Sequence, residues 1–168
     1  VVLAVVDDAS DTSRTNQTIT VEDVVVGTDV WLEAECGEVG QNWRIIRDAA
    51  ASGQIYAIHP DGRSLNEAPS DTADWIIYPF SVSEGATYKL FARAQLPNSD
   101  DDSFWLKVDD GQWIKWNNST PGNLFTWYEV INDDLAGDPQ VTYSLSEGAH
   151  TLYVTFREDG ALLDKFFI

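Results

Sequence analysis

The chain has 168 residues, 43% of them hydrophobic, which suits one domain with a full core and excludes a wholly disordered polypeptide. With 28 acidic against 10 basic residues the net charge is −18, a field that repels nucleic acid and anionic membranes and excludes both as partners. Seven Trp, six Tyr and seven Phe exceed what one core of this size needs, so some rings are expected at the surface, where Trp usually marks binding.

Residues 1–28 read as an extension or linker. Val1–Val6 is apolar, Asp7–Thr18 is a polar Asp/Ser/Thr/Asn stretch, and Thr18–Val26 returns to β-formers; an extra N-terminal strand is the alternative. No apolar run reaches membrane-spanning length and no signal-peptide pattern is present, so the sequence reads as a soluble piece of a longer chain.

Trp31–Cys36 reads as a strand whose alternation places Leu32, Ala34 and Cys36 on one face and Trp31, Glu33 and Glu35 on the other. Cys36, the only cysteine, is expected to pack as a small buried hydrophobe. Two carboxylates two residues apart on a strand face lie about 7 Å apart and repel unless a cation or basic group sits beside them. The last stretch, Leu162–Ile168, is a second strand candidate and carries Asp164. If the first and last strands pair, Glu33, Glu35 and Asp164 could share one hard cation such as calcium; the alternative is a solvated acidic strand face.

A long loop region rich in Gly, Ser, Asn and Pro runs to about Asp74, with Trp43, Tyr56 and His59 and a short strand at Gln54–His59. Strands are expected at Trp75–Phe80 and Thr87–Leu96, with Tyr88, Leu90, Ala92 and Ala94 facing the core. Ser103–Asp109 alternates, Phe104, Leu106 and Val108 against Ser103, Trp105 and Lys107, and Asp110-Gly111 signals a hairpin into Gln112–Trp116. Phe125–Ile131, Gln140–Leu145, His150–Arg157 and the final stretch complete ten or so short strands without a convincing helix. That pattern predicts an all-β fold, an antiparallel β-sandwich of jelly-roll type, over residues 29–168.

Trp113, Trp116, Trp127 and Tyr128 border the loops around 110–130, with Asp100 to Asp102, Asn117, Asn118 and Asn132 nearby. Sugar rings stack their C–H faces on indole and need flanking acids and amides for their hydroxyls; the alternative is that these Trp residues pack the core or the hairpins. Arg157-Glu158-Asp159-Gly160 could bind vicinal hydroxyls in bidentate fashion or be an ordinary charged turn. Catalytic signals are thin, since His59 and His150 are the only histidines and neither sits in a triad or metal motif. A glycosidase-type carboxylate pair stays open among so many acids. Asn16-Gln17-Thr18 and Asn117-Asn118-Ser119-Thr120 match glycosylation acceptors.

The Glu-x-Glu opening at Glu33 and Glu35, the aromatic hairpin from Phe104 to Trp116, the Ser146-x-Gly148-x-His150 turn and the terminal Leu163-Asp164 strand occur in the order of a known family. Over residues 29–168 the sequence resembles the family 6-like carbohydrate-binding modules, of the kind appended to polysaccharide-degrading enzymes of marine bacteria, including agarases. The resemblance implies a non-catalytic β-sandwich that binds a polysaccharide, such as the galactan agarose, and delivers an attached secreted enzyme to it. It implies a structural Ca2+ held by Glu33, Glu35 and Asp164, and a ligand cleft at one loop edge where two aromatics clamp a sugar. Trp127 fits the downstream aromatic; Tyr56 or Trp43 fits the upstream one. The family often has Asn two residues before the final Asp, where this chain has Leu162, which moves the polar contact to Glu158 or Asp159. The expected sugar-binding set is therefore Trp127, Trp116, Tyr56, Asp102, Arg157, Glu158 and Asp159, in an extracellular, monomeric module tethered to a catalytic domain. A jelly-roll lyase or hydrolase and a cell-surface adhesion module are the competing functions.

Overall fold

The computed structural model describes residues 29–60, 62–117 and 120–168. The expectations for residues 1–28 and for Asn118 lie outside them. Thirteen strands follow in chain order: β1 (Trp31–Glu33), β2 (Glu38–Val39), β3 (Arg44–Arg47), β4 (Ile55–Ile58), β5 (Ile76–Val82), β6 (Ala86–Lys89), β7 (Phe91–Leu96), β8 (Ser103–Val108), β9 (Ile114–Asn117), β10 (Gly122–Glu129), β11 (Thr142–Leu145), β12 (Gly148–Phe156) and β13 (Leu162–Phe167).

They form the expected antiparallel sandwich. The first sheet has the order β10-β7-β13-β4-β3, with β1 also paired to β13; the second has the order β2-β5-β12-β8-β9, and β11-β6 is a separate ribbon. Strand β13 shares one edge between two partners, β4 at Leu162 and Leu163 and β1 at Lys165, Phe166 and Phe167. The first and last strands therefore lie side by side, as expected. The only helical segments among the described residues are two single 3-10 turns, and no helix is long and apolar enough to cross a membrane.

The core is the slab between the sheets. Ala57, Ala92, Ala94, Leu163 and Phe166 face inward from the first sheet, and Ile76, Tyr78, Phe104, Leu106, Leu152, Val154 and Phe156 from the second. Small alanines opposite large rings let the layers interdigitate. Tyr78 meets Phe166 edge-on at 5.9 Å, and its hydroxyl donates to Ala34 O at 3.1 Å. At the far edge Trp116 stacks on Phe104, which it faces across the β8–β9 register, with centroids 5.4 Å apart. The Asp110-Gly111 hairpin forms as read, with Asp109 in the left-handed region at φ 52°. The Asp109 carboxylate accepts from Thr151 N–H at 2.8 Å and pairs with His150 at 2.7 Å, tying that turn to the start of β12.

Three expectations fail here. Thr87–Leu96 is not one strand: Leu90 separates β6, in the ribbon, from β7, in the first sheet, although Tyr88, Leu90, Ala92 and Ala94 are buried as expected. Trp31–Cys36 leaves extended geometry after Glu33 and closes into a 3-10 turn over Ala34–Cys36, so the simple strand parity ends there and Cys36 is exposed instead of buried. Trp116, expected to meet sugar, is fully buried. Removing its indole leaves a cavity at the sandwich edge. Trp116→Ala should lower unfolding free energy by roughly 3–5 kcal/mol, against about 1 kcal/mol or less for the half-exposed Trp127→Ala. Urea denaturation of both variants checks this, and equal losses would contradict the placement.

Candidate functional site

The loop edge expected to hold the sugar is closed by the chain itself. The segment that follows β4 folds across the β12–β13 turn: Leu65 N–H donates to Arg157 O at 2.7 Å, Gly160 N–H to His59 O at 3.0 Å and Asp159 N–H to Arg63 O at 3.3 Å. The Asp159 carboxylate accepts from Gly62 N–H. Glu158 Oε2 accepts from the Ser103 hydroxyl at 2.6 Å, while Arg157 pairs with Glu158 and donates to Ser103 Oγ at 3.0 Å. Gly160, at φ +79°, is needed where it stands, because a Cβ would lie 2.7 Å from the Asp101 carboxylate. Asp102 is 2% exposed, and burial, reinforced by its hydrogen bond to Glu158 and that residue's charge, pushes its carboxyl up to about 7. Asp102, Arg157, Glu158 and Asp159 thus bond to the loops around them; Asp102 is buried and the other three are half-buried. Trp43, the alternative upstream aromatic, is buried with its indole N–H donating to Asp74 O at 2.6 Å.

The other two expected residues stand on the outer face of the first sheet. Trp127 (β10) lies in register with Arg93, Lys165 and Glu33 across four strands, and the next row contains Glu129, Phe91, Phe167 and Trp31. Trp31 is 54% exposed and Trp127 42%, their rings edge-to-face at 5.8 Å. Lys165 Nζ sits 5.2 Å from the Trp31 ring and 5.9 Å from that of Trp127. Tyr56 (β4) meets Phe125 at 5.7 Å, and Phe125 also takes the Arg93 guanidinium at 5.4 Å.

The outer face of the second sheet carries a platform of which the sequence reading had singled out only Trp113 as a stacking candidate. Lys107 Nζ lies 4.8 Å from the ring of Tyr153, its cross-strand partner, 5.2 Å from that of Trp113 and 5.3 Å from that of Trp75. Trp75 packs edge-on against both Trp113 (5.1 Å) and Tyr153 (5.4 Å), and none of the three is buried. Two residues along β12 on the same face, Thr155 borders a groove of about 280 Å³. Arg63, Asn66, Glu67, Ser70, Asp71 and Asp74 are among the polar residues that line the rest of it. Asp74 accepts from Asn42 at 2.7 Å and from Arg63 at 3.2 Å, which fixes the groove's floor next to Trp75. Aromatic faces beside a polar groove offer what a sugar chain requires, C–H stacking and hydroxyl partners. The alternation of Ser103–Asp109 had placed Lys107 outward; what local pattern could not show is that β12 and the ends of two loops bring three rings around it.

The three expected metal ligands gather around the turn Ser52-Gly53. Ser52 N–H donates to Asp164 Oδ1 at 2.8 Å and its hydroxyl to Glu33 Oε1 at 3.0 Å. A Cβ on Gly53, at φ +55°, would stand 3.3 Å from Glu35 Oε1. Glu33 Oε2 and Glu35 Oε2 are buried without a hydrogen-bond partner, the mark of a donor set that fits a hard cation. Asp164 differs: it is fully buried, and Arg93 pairs with its second oxygen. Among the described residues no group of three or more His, Cys, Asp or Glu side chains is placed so that it could hold a metal ion.

No protein-family model and no curated protein sequence matches the chain. Solved structures do. A family 35 carbohydrate-binding module from Clostridium thermocellum superposes with a TM-score of 0.57 at 17% identity, over 82% of this chain and 96% of that one. The module CBM6cm-2 of Cellvibrio mixtus lichenase 5A, in complex with cellotriose, gives 0.54 at 16% identity, over 82% and 93%. The exo-β-1,3-galactanase of Phanerochaete chrysosporium, with β-1,3-galactotriose, gives 0.58 at 16% identity over 84% of this chain, which spans 29% of that enzyme. The chain has the β-sandwich fold of the family 35 and family 6 carbohydrate-binding modules.

The Asp102 carboxyl supplies a test of the closed edge. Its folded pKa lies above the unfolded value of about 4, so it binds a proton that the unfolded chain has released. The stability it contributes is complete below about pH 4 and is lost as pH rises through about 7. Asp102→Asn keeps a donor toward Glu158 at every pH. The variant should melt above the parent at pH 8 and lose that advantage at pH 4; a pH-independent difference would contradict the assignment.

Proposed function

We propose that this chain is a non-catalytic polysaccharide-binding module that targets an attached, secreted polysaccharide-degrading enzyme to its substrate. The observation that carries the proposal is the outer face of the second sheet, where Trp75, Trp113 and Tyr153 surround Lys107 beside the polar groove at Asp74 and Thr155. The shared sandwich supports it, because neighbours of that fold carry carbohydrate-binding names. Sugar rings would stack on the indoles while Lys107 and the groove's amides and acids bond their hydroxyls. A marine galactan such as agarose is the first candidate polymer.

Native electrophoresis through gels containing agarose, laminarin, xylan, mannan, alginate or carrageenan tests this. One polymer should retard the chain without being degraded, and Trp113→Ala should abolish the retardation or weaken it at least tenfold. Free migration in every gel would overturn the reading, and release of reducing sugar would replace it with an enzyme.

The proposal includes a structural calcium ion held by Glu33 and Glu35, with Asp164 joining through the lone pair that Ser52 leaves on Oδ1. Bound there, Ca2+ would neutralise the buried carboxylates and tie β1, the Ser52 turn and β13 together without touching sugar. At a hundredfold excess over its dissociation constant an ion adds about 2.7 kcal/mol, or roughly 5–10 °C in a domain of this size. Calorimetry with CaCl2 and then with chelator should show that reversible gain in the parent and none in Glu35→Gln. Identical melting of the parent in both conditions would remove calcium from the proposal.

A further inference from the structure

Strand β3 is the last strand of the first sheet, with β4 on one side and, among the described residues, no strand on the other. It is also the only described strand with no buried or half-buried residue. Ile45 is 43% exposed and Ile46 36%, on opposite faces of the strand, and Arg44 and Arg47 flank them. Neither arginine pairs with an acid among the described residues, although acids outnumber basic residues 28 to 10. An open edge with apolar side chains on both faces is a template for a further strand.

The backbone limits how such a strand can pair. Asp48 N–H donates to Gln54 O at 3.0 Å, so Asp48 and, by alternation, Ile46 and Arg44 turn their amides and carbonyls toward β4. Ile45 and Arg47 turn theirs to the open edge, as does Trp43, whose N–H already donates to Gly40 O at 3.1 Å. An antiparallel strand of the same sequence must set these outward residues opposite one another. Arg47 against its own copy would bring like charges together. Ile45 against its own copy would place Arg47 opposite Trp43, whose N–H is taken. Ile45 opposite Arg47 of the second copy meets neither obstacle. That register sets Ile46 against its own copy at the dyad and Arg44 against Asp48 of the second copy, at both ends. Asp48 Oδ1 accepts from Ala50 N–H at 2.8 Å, which leaves Oδ2 for the guanidinium. The edge is therefore complementary to itself in charge as well as in shape.

We propose that β3 is an interface between two copies of this chain, paired antiparallel in that register. Ile45 and Arg47 of each copy exchange both backbone hydrogen bonds with the other, and the first sheet continues unbroken from one copy into the next. The dyad stands normal to the joined sheet, so both copies turn the Lys107 platform to the same side. Pairing over residues 44–48 buries less than the roughly 1,000 Å² of a stable interface, which makes the dimer weak and reversible.

Sedimentation of the full chain from about 10 µM to about 1 mM, the range of weak association, tests this in roughly 0.15 M salt, where the repulsion between two acidic copies is screened beyond about 8 Å. The average mass should climb toward twice the monomer value. Arg44→Asp and Asp48→Arg should each stay monomeric, because like charges then face each other at both ends, and an equimolar mixture of the two variants should dimerise again. A second measurement leaves the charges untouched. At the dyad Ile46 meets its copy as a non-hydrogen-bonded pair, with Cα atoms about 4.5 Å apart, a spacing a disulfide spans. Cys36 is exposed, so the cysteine variants carry Cys36→Ser. Under mild oxidation Ile46→Cys should cross-link at least tenfold faster than Ile45→Cys. A parent that stays monomeric while the Ile45 and Arg47 amides exchange freely with solvent would overturn the proposal. A monomer with those two amides protected would overturn it in favour of the chain's own β-forming residues 18–26 as the occupant. A dimer that survives both charge reversals, or that cross-links equally through either cysteine, would overturn it by placing the contact elsewhere.

Discussion

A carboxylate buried in the last strand organises this protein. Asp164 has no exposed surface, and an unpaired charge there would be too costly for a marginally stable domain. Its two oxygens are taken by Ser52 N–H and Arg93, so the charge draws in a distant turn and the neighbouring strand together. Asp164 is also the extra residue of a bulge, since Leu163 faces Ala94 and Lys165 already faces Arg93. That inserted residue resets the alternation. Without it Lys165 and Phe167 would point into the core; with it they point outward, and Phe166 takes the core position opposite Ala92. The aromatic outer face of the first sheet exists because of a one-residue irregularity anchored by one buried acid.

The same irregularity explains what could and could not be read from the chain. Strands with one buried face, such as Phe91–Leu96, declare themselves by alternation, because each second residue must enter the core. The pairing of the first and last strands entered the sequence reading only as the condition for Glu33, Glu35 and Asp164 to share a cation, and the strands do pair. The turn at Ala34–Cys36 was not legible: Glu-Ala-Glu-Cys alternates equally well as a strand, and the bond from Tyr78 to Ala34 O that accompanies the 3-10 turn is a tertiary contact from 44 residues away. Trp116 and Trp127 look alike in sequence, each beside turn residues. Their fates separate because Trp116 falls in register with Phe104 on the inner face, whereas Trp127 falls in register with Arg93 on the outer one. Register between strands distant in sequence is set by the whole sheet, and a local window does not contain it.

The largest departure concerns where a ligand can lie. The polar residues of the β12–β13 turn looked like sugar contacts because nothing in sequence showed what would cover them. Backbone hydrogen bonds from His59, Arg63 and Leu65 reach this turn, and Glu158, Arg157 and Ser103 bond one another, although Arg157 Nε is left without a partner. Groups satisfied in this way gain little from a sugar hydroxyl, because binding would have to break an internal bond to make an external one. The aromatic rings on the two outer faces have no such competition. They keep exposed surface, and a lysine ammonium lies within 6 Å of the rings on each face.

A lysine stands at the rings of each face. An ammonium near an aromatic face is attracted by the ring's electrons, a contact worth about 0.5–1 kcal/mol at an exposed site. Lys107 makes this contact among Trp75, Trp113 and Tyr153, and Lys165 makes it between Trp31 and Trp127. Both ammonium groups sit in a strongly acidic molecule whose long-range field discourages polyanions and leaves neutral polymers unaffected. The net charge thus acts at long range on any anionic polymer, while the ring-and-lysine faces act only at contact.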